Sequence, residues 1–208
     1  MTTIYALHRR ATASAALVVR TVQPVHLDHP TPCAGWDLRT LLEHMTGEDQ
    51  GFAAAVRATL ARTDVDDAAF APRPLGAAPA TVHAAGADAV VSAFAEATGL
   101  DRPVLLPQFG NSFPLETVAG FHLIDTLVHG WDVAATLGTQ NAYAAGLDPD
   151  LVAAGLAVAE QVPDGPAREA PGAAFAPALP TGASTDPWHR TLTLLGRNPA
   201  WTSDALVR

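Results

Sequence analysis

Residues 115–137 constrain this chain more than any other segment. On a helical wheel Leu123, Ile124, Leu127, Val128, Trp131, Val133 and Ala134 point in nearly every direction. A helix that is apolar all round belongs in the middle of a bundle. Yet one stripe of it carries His122, Asp125, His129, Asp132 and Thr136. A polar stripe on a buried helix has to be hydrogen-bonded or metal-bound, because unpaired buried charge is costly. Asp125 and His129 are four positions apart, so both can address one ion from the same face. His122 falls slightly past His129 and reads as a core or supporting group rather than a fourth ligand. Asp132 is placed either to orient a ligand imidazole or to form a salt bridge.

A second helix, expected over 37–61 with Asp37 as its N-cap, supplies a partner. Its apolar face is Leu38, Leu41, Leu42, Met45 and Phe52, and His44 lies at the edge of that face with Glu48 on the same side. If these two helices pack together, His44 approaches the Asp125–His129 pair. Three protein ligands with positions left open are the pattern of a catalytic metal. Glu48 is either a proton-transfer group beside that centre or a solvated edge residue. Asp49 falls inside the apolar stripe, and the sequence gives no reason for it.

Further helices are expected over 3–22, 80–98 and 149–161, with a last helical turn at 189–195. Residues 63–79 read as a long crossover, 103–109 as a short extended piece, and 163–187 as a Pro/Gly/Ala-rich stretch wrapping the surface. No convincing strand pattern competes, so the expectation is an all-α four-helix bundle with a long crossover and a Pro/Gly-rich C-terminal extension, one domain over 1–208. His8, His83 and His189 have no supporting neighbours in sequence. Trp36 and Trp131 read as packing residues.

The formal charge is −9, and all twelve basic residues are arginines, so no basic stripe offers itself to a phosphate backbone. The apolar runs fall short of the ~20 residues of a membrane span, and no signal peptide is visible. Cys33 is the sole cysteine. That excludes an internal disulfide and fits a reducing, cytoplasmic setting. Beside Pro32 at a turn, Cys33 reads as incidental, with a reactive thiol as the other possibility.

Three blocks carry a family resemblance: Thr31-Pro32-Cys33-Ala34-Gly35-Trp36-Asp37-Leu38-Arg39, then Leu41-Leu42-Glu43-His44, then Asp125-Thr126-Leu127-Val128-His129-Gly130-Trp131-Asp132. They resemble the DinB-like, mycothiol-dependent maleylpyruvate isomerase N-terminal-domain family. The ending Leu195-Gly196-Arg197-Asn198-Pro199-Ala200-Trp201 looks like that of its actinobacterial metal-binding-protein branch. The resemblance implies a divalent ion on a second-helix histidine and a later acid-x-x-x-His pair, here His44, Asp125 and His129. Zinc comes first, with iron or nickel also suited.

The resemblance further implies an enzyme using a low-molecular-weight thiol such as mycothiol, a thiol S-transferase or cis–trans isomerase acting on a small electrophile. In that scheme Glu48 or Asp132 moves a proton. The isomerase proper carries an additional C-terminal domain where this sequence has its Pro/Gly-rich extension, so the isomerase's own substrate is not implied. Two other readings stay open. In one the ion acts as a Lewis acid without any thiol. In the other the bundle binds a small molecule or a second copy of itself, its alanines suiting a dimer face, and the metal only ties helices together.

Overall fold

The computed structural model describes residues 2–170, 173–180 and 184–203; the rest of the expected 163–208 extension lies outside the described residues. The fold is all-α. Four long helices, α1 (Ile4–Val19), α2 (Leu38–Ala61), α3 (Pro79–Glu96) and α4 (Leu115–Thr136), pack in a closed ring of neighbours: α1 on α4, α4 on α2, α2 on α3 and α3 on α1. Between α3 and α4 stands a two-stranded antiparallel hairpin, β1 (Val104–Leu106) and β2 (Asn111–Phe113), with Val104 opposite Phe113. After α4 come α5 (Gln140–Ala145), α6 (Pro149–Ala159) and α7 (Pro187–Leu194). No helix is long and apolar enough to cross a membrane among the described residues.

Local chemistry sets the helix ends. Thr3 accepts the N–H of Ala6 and Asp37 that of Thr40, at 3.3 and 2.8 Å, each satisfying a first-turn donor. Pro79, Pro149 and Pro187 each occupy a first helical position, where a missing N–H costs nothing. Helix α1 was expected to reach residue 22 but stops at Val19. There Thr21 and Val22 bond back three residues, and the chain tightens before Gln23-Pro24.

Within the ring α4 is flanked by α1 and α2 and also packed by α5 and α6, which encloses it as its all-round apolarity requires. Leu123, Ile124, Leu127, Val128 and Trp131 form one core cluster with Leu7 and Ala11 of α1 and Leu151 of α6. The same cluster takes in Trp188, Leu192 and Leu195, so the segment expected to wrap the surface also delivers α7 into the core. The crossover sits directly on α2. A Cβ on Gly47 would stand 2.6 Å from the carbonyl oxygen of Ala71, and one on Gly51 would overlap the Phe70 ring. Glycine at these two positions lets the short 3-10 turn Asp67–Phe70 lie against the helix.

Candidate metal centre

Helices α2 and α4 lie side by side, and their polar edges meet. One ligand atom from each of His44, Asp125 and His129 lies within 4.8 Å of the others. Nε2 of His129 stands 3.4 Å from Asp125 Oδ1. Donors bound to one ion at ~2.0–2.2 Å are separated by roughly 3–4 Å, so the set needs only slight closure around a divalent ion. Two imidazoles and a carboxylate suit zinc, iron(II) or nickel. His129 is buried, whereas the side chains of His44 and Asp125 keep 24% and 19% of their exposure. The cluster therefore opens to one side, and Glu48 stands at that opening with Oε1 4.0 Å from His44 Nδ1. The Trp36 ring covers another flank, its centroid 4.9 Å from His44 and 6.4 Å from His129. Two surface hollows, one lined by Asp64, Val65, Asp66 and Ala69 and the other including Leu17 and Tyr143, contain none of these residues.

The charges around the opening are tuned by burial first. Burial, then the neighbouring His129 charge, pushes the His44 imidazole down to about 4, so it is neutral at pH 7. Burial, reinforced by the Asp125 charge, raises the Glu48 carboxyl to about 8. For Asp125 burial acts upward, but the charge and hydrogen bond of His129 outweigh it and hold the carboxyl below its usual range. His129 is raised in return: burial opposes its charge, and the Asp125 and Asp132 carboxylates overcome it.

Asp132 lies on the other side of the His129 ring. His129 Nδ1–H donates to Asp132 Oδ2 at 2.9 Å, which leaves Nε2 facing Asp125. The same oxygen accepts from Cys33 Sγ at 3.2 Å and from Arg197 Nη2 at 3.1 Å. Cys33 is therefore not an incidental turn residue. The loop before α2 is closed by Thr31, whose N–H and hydroxyl both donate to the Trp36 carbonyl, and it is tied to α4 by Thr136 donating to the Pro30 carbonyl. That closure delivers Cys33 to Asp132 and Trp36 to His44. Cys33, His129 and Asp132 also bring ligand atoms within 4.8 Å of one another. There, however, the Arg197 guanidinium already supplies the cation, 3.2 Å from Cys33 Sγ. A dication at that point would meet a fixed positive charge.

A second buried polar chain lies elsewhere on the same helices. His122 Nε2 bonds Asp49 Oδ1 at 3.0 Å, and His122 Nδ1 bonds His8 Nε2 at 2.8 Å. With its proton on Nε2, His122 donates to Asp49 and accepts from His8. This is what Asp49 does inside an apolar stripe. It also corrects the reading of His8 and His83 as lacking neighbours: both are buried, and His83 feels the charge of Asp49. His122 is a partnered core residue.

Burial, joined by the neighbouring His122, holds both His8 and His83 below the ordinary 6.5, although Asp49 pulls His83 upward. Above that value they are neutral folded and unfolded alike, and their contribution to stability is complete. Below it the unfolded chain takes up protons that the native core refuses. Stability is then expected to fall by up to about 1.4 kcal/mol per pH unit for each histidine. Urea midpoints between about pH 7.5 and 5.5 check this when His83→Gln is compared with wild type, so that Glu48 and His44 contribute equally to both; profiles of identical slope contradict it.

The family model described as mycothiol maleylpyruvate isomerase N-terminal domain matches residues 8–134. Two uncharacterised proteins, from two strains of Mycobacterium tuberculosis, are each 30% identical over 190 residues, covering 91% of this chain and 95% of theirs. No solved structure matches the chain significantly. His44, Glu48, Asp125, His129 and Asp132 all fall inside the matched span, and Arg197 falls outside it.

Proposed function

The chain belongs to the mycothiol maleylpyruvate isomerase N-terminal-domain family, and from that membership we propose a metal-dependent enzyme that uses a low-molecular-weight thiol on a small electrophilic metabolite. Mycothiol is the thiol the family points to, and the reaction is S-transfer or cis–trans isomerisation through reversible thiol addition. The observation that carries the reading is the open-sided set of His44, Asp125 and His129 between α2 and α4.

A divalent ion held by that set, zinc first, would lower the pKa of a bound thiol and make thiolate available at neutral pH. The rest is done by this chain's side chains. His44, neutral at pH 7, offers a lone pair. Asp132 accepts the hydrogen bond of His129 Nδ1–H, fixing the tautomer that leaves Nε2 free to bind an ion. Glu48 stands at the opening, raised to about 8 by burial and the Asp125 charge while no ion is present; a dication beside it would bring it down, so that its carboxylate could take a proton and hand it on. It is the group to protonate the carbon or oxygen of a substrate once a thiol has added. Asp132, fully buried behind the His129 ring, orients instead.

The test is turnover of a panel of conjugated electrophiles by the metal-loaded protein, with and without mycothiol. Thiol-dependent turnover that a chelator abolishes and added metal restores is expected. Turnover independent of thiol contradicts the thiol's role, and turnover in a fully metal-stripped protein contradicts the metal's.

A further inference from the structure

Helix α7 ends in a turn that aims one side chain at the back of the metal centre. The N–H of Gly196 bonds the Thr193 carbonyl at 3.1 Å and that of Arg197 bonds the Leu192 carbonyl at 2.8 Å, the pattern of a Schellman motif. Gly196 has φ +75°, and a Cβ there would lie 2.7 Å from both the Cβ and the carbonyl oxygen of Ala176. Only glycine fits. The segment is anchored by Arg168, which donates to the carbonyls of Val162, Pro163, Ala176 and Leu194.

Arg197 is 6% exposed. Its Nη1 donates to the Leu195 carbonyl at 2.9 Å, while Nη2 reaches Asp132 Oδ2 and Cys33 Sγ at 3.1 and 3.2 Å. A guanidinium so far from water is tolerated only against a countercharge. That countercharge, Asp132, is the acceptor for His129 Nδ1–H.

We propose that Arg197 is a positioning residue for the metal centre: acting through Asp132, it fixes the orientation of the His129 ring so that Nε2 faces His44 and Asp125. The inference rests on the metal-centre reading above. The planar fork suits the task, since its Nη1 is held by a backbone carbonyl while its Nη2 holds the carboxylate. Asp132 itself is 0% exposed. Without Arg197 its carboxylate keeps only the His129 ring as a cationic partner, one that Asp125 shares, and the acceptor that orients that ring loses its own anchor.

Zinc affinity, by competition with a chromophoric chelator, is measured beside the melting temperature of the metal-free protein for wild type, Arg197→Met and Arg197→Lys. Arg197→Met is expected to weaken zinc binding ~10–100-fold, with Arg197→Lys recovering part of the loss. In an Asp132→Asn background, Arg197→Met should add less than about threefold, because the same link is already cut. An arginine that only braces the fold lowers the melting temperature and leaves zinc affinity within about twofold of wild type, which overturns the proposal. Should Arg197→Met not fold, Arg197→Lys carries the test: weakened affinity supports the inference and unchanged affinity overturns it. Wild-type protein that binds no zinc, iron(II) or nickel overturns the metal-centre reading itself, and so is told apart from failure of the arginine's role alone.

Discussion

His129→Ala is expected to abolish divalent-metal binding while leaving a folded bundle. The imidazole is the hub of the candidate centre: Nε2 lies 3.4 Å from Asp125 and Nδ1 donates to Asp132 at 2.9 Å. Removing it deletes one of three donors and the link that orients the set. The core clusters around Leu123, Phe94 and Leu41 do not depend on this ring, and Asp132 keeps Arg197 as its partner. The metal-free variant should therefore lose only about 1–3 kcal/mol of stability, in the usual range for one substitution. Metal at a hundredfold excess over its dissociation constant should stabilise wild type by about 2.7 kcal/mol and the variant not at all. Asp132→Asn, which disturbs orientation without removing a donor, should cost only ~10–100-fold in affinity. Melting curves with and without metal check all three. A metal-induced shift that survives in His129→Ala contradicts the assignment.

Asp49→Ala is expected to give a large loss of stability with no loss of metal binding. The Asp49 and His122 side chains are 3% and 1% exposed and pair at 3.0 Å, with His8 hydrogen-bonded behind His122. Truncating the carboxylate leaves the buried Nε2–H of His122 without its acceptor, while His8 keeps its bond to His122 Nδ1; an orphaned buried donor of this kind typically costs about 1–3 kcal/mol. At roughly 2–4 °C per kcal/mol for a chain of this size, the melting temperature should drop by about 2–12 °C. Asp49 is not among the three clustered donors, so metal affinity should stay within about threefold of wild type. A melting temperature within about 2 °C of wild type would mean that the buried chain adds little to stability.

The two halves of that contrast differ in how far sequence exposes them. Helix α4 is legible because its signal is local: an apolar wheel with one polar stripe has few places to go. His44 was reached from the edge position it holds on α2 and from a family motif. The chain His8–His122–Asp49 is not legible, since its members are separated by 114 and 73 residues and each reads as isolated. Only the packing of α1 and α2 against α4 joins them. Cys33 and Arg197 stand 164 residues apart, and no periodicity links a turn cysteine to a tail arginine. Helix α5 is not legible because its six residues, set between Gly138 and Gly146, are too few to show a repeat.

The central claim is that His44, Asp125 and His129 hold one divalent ion. Anomalous diffraction at the zinc edge from crystals of the zinc-loaded protein tests it most directly. One peak is expected, about 2.0–2.2 Å from a nitrogen of His44, a carboxylate oxygen of Asp125 and Nε2 of His129. A peak bound instead by Cys33 and Asp132, or a fully loaded crystal with no peak between α2 and α4, would contradict it.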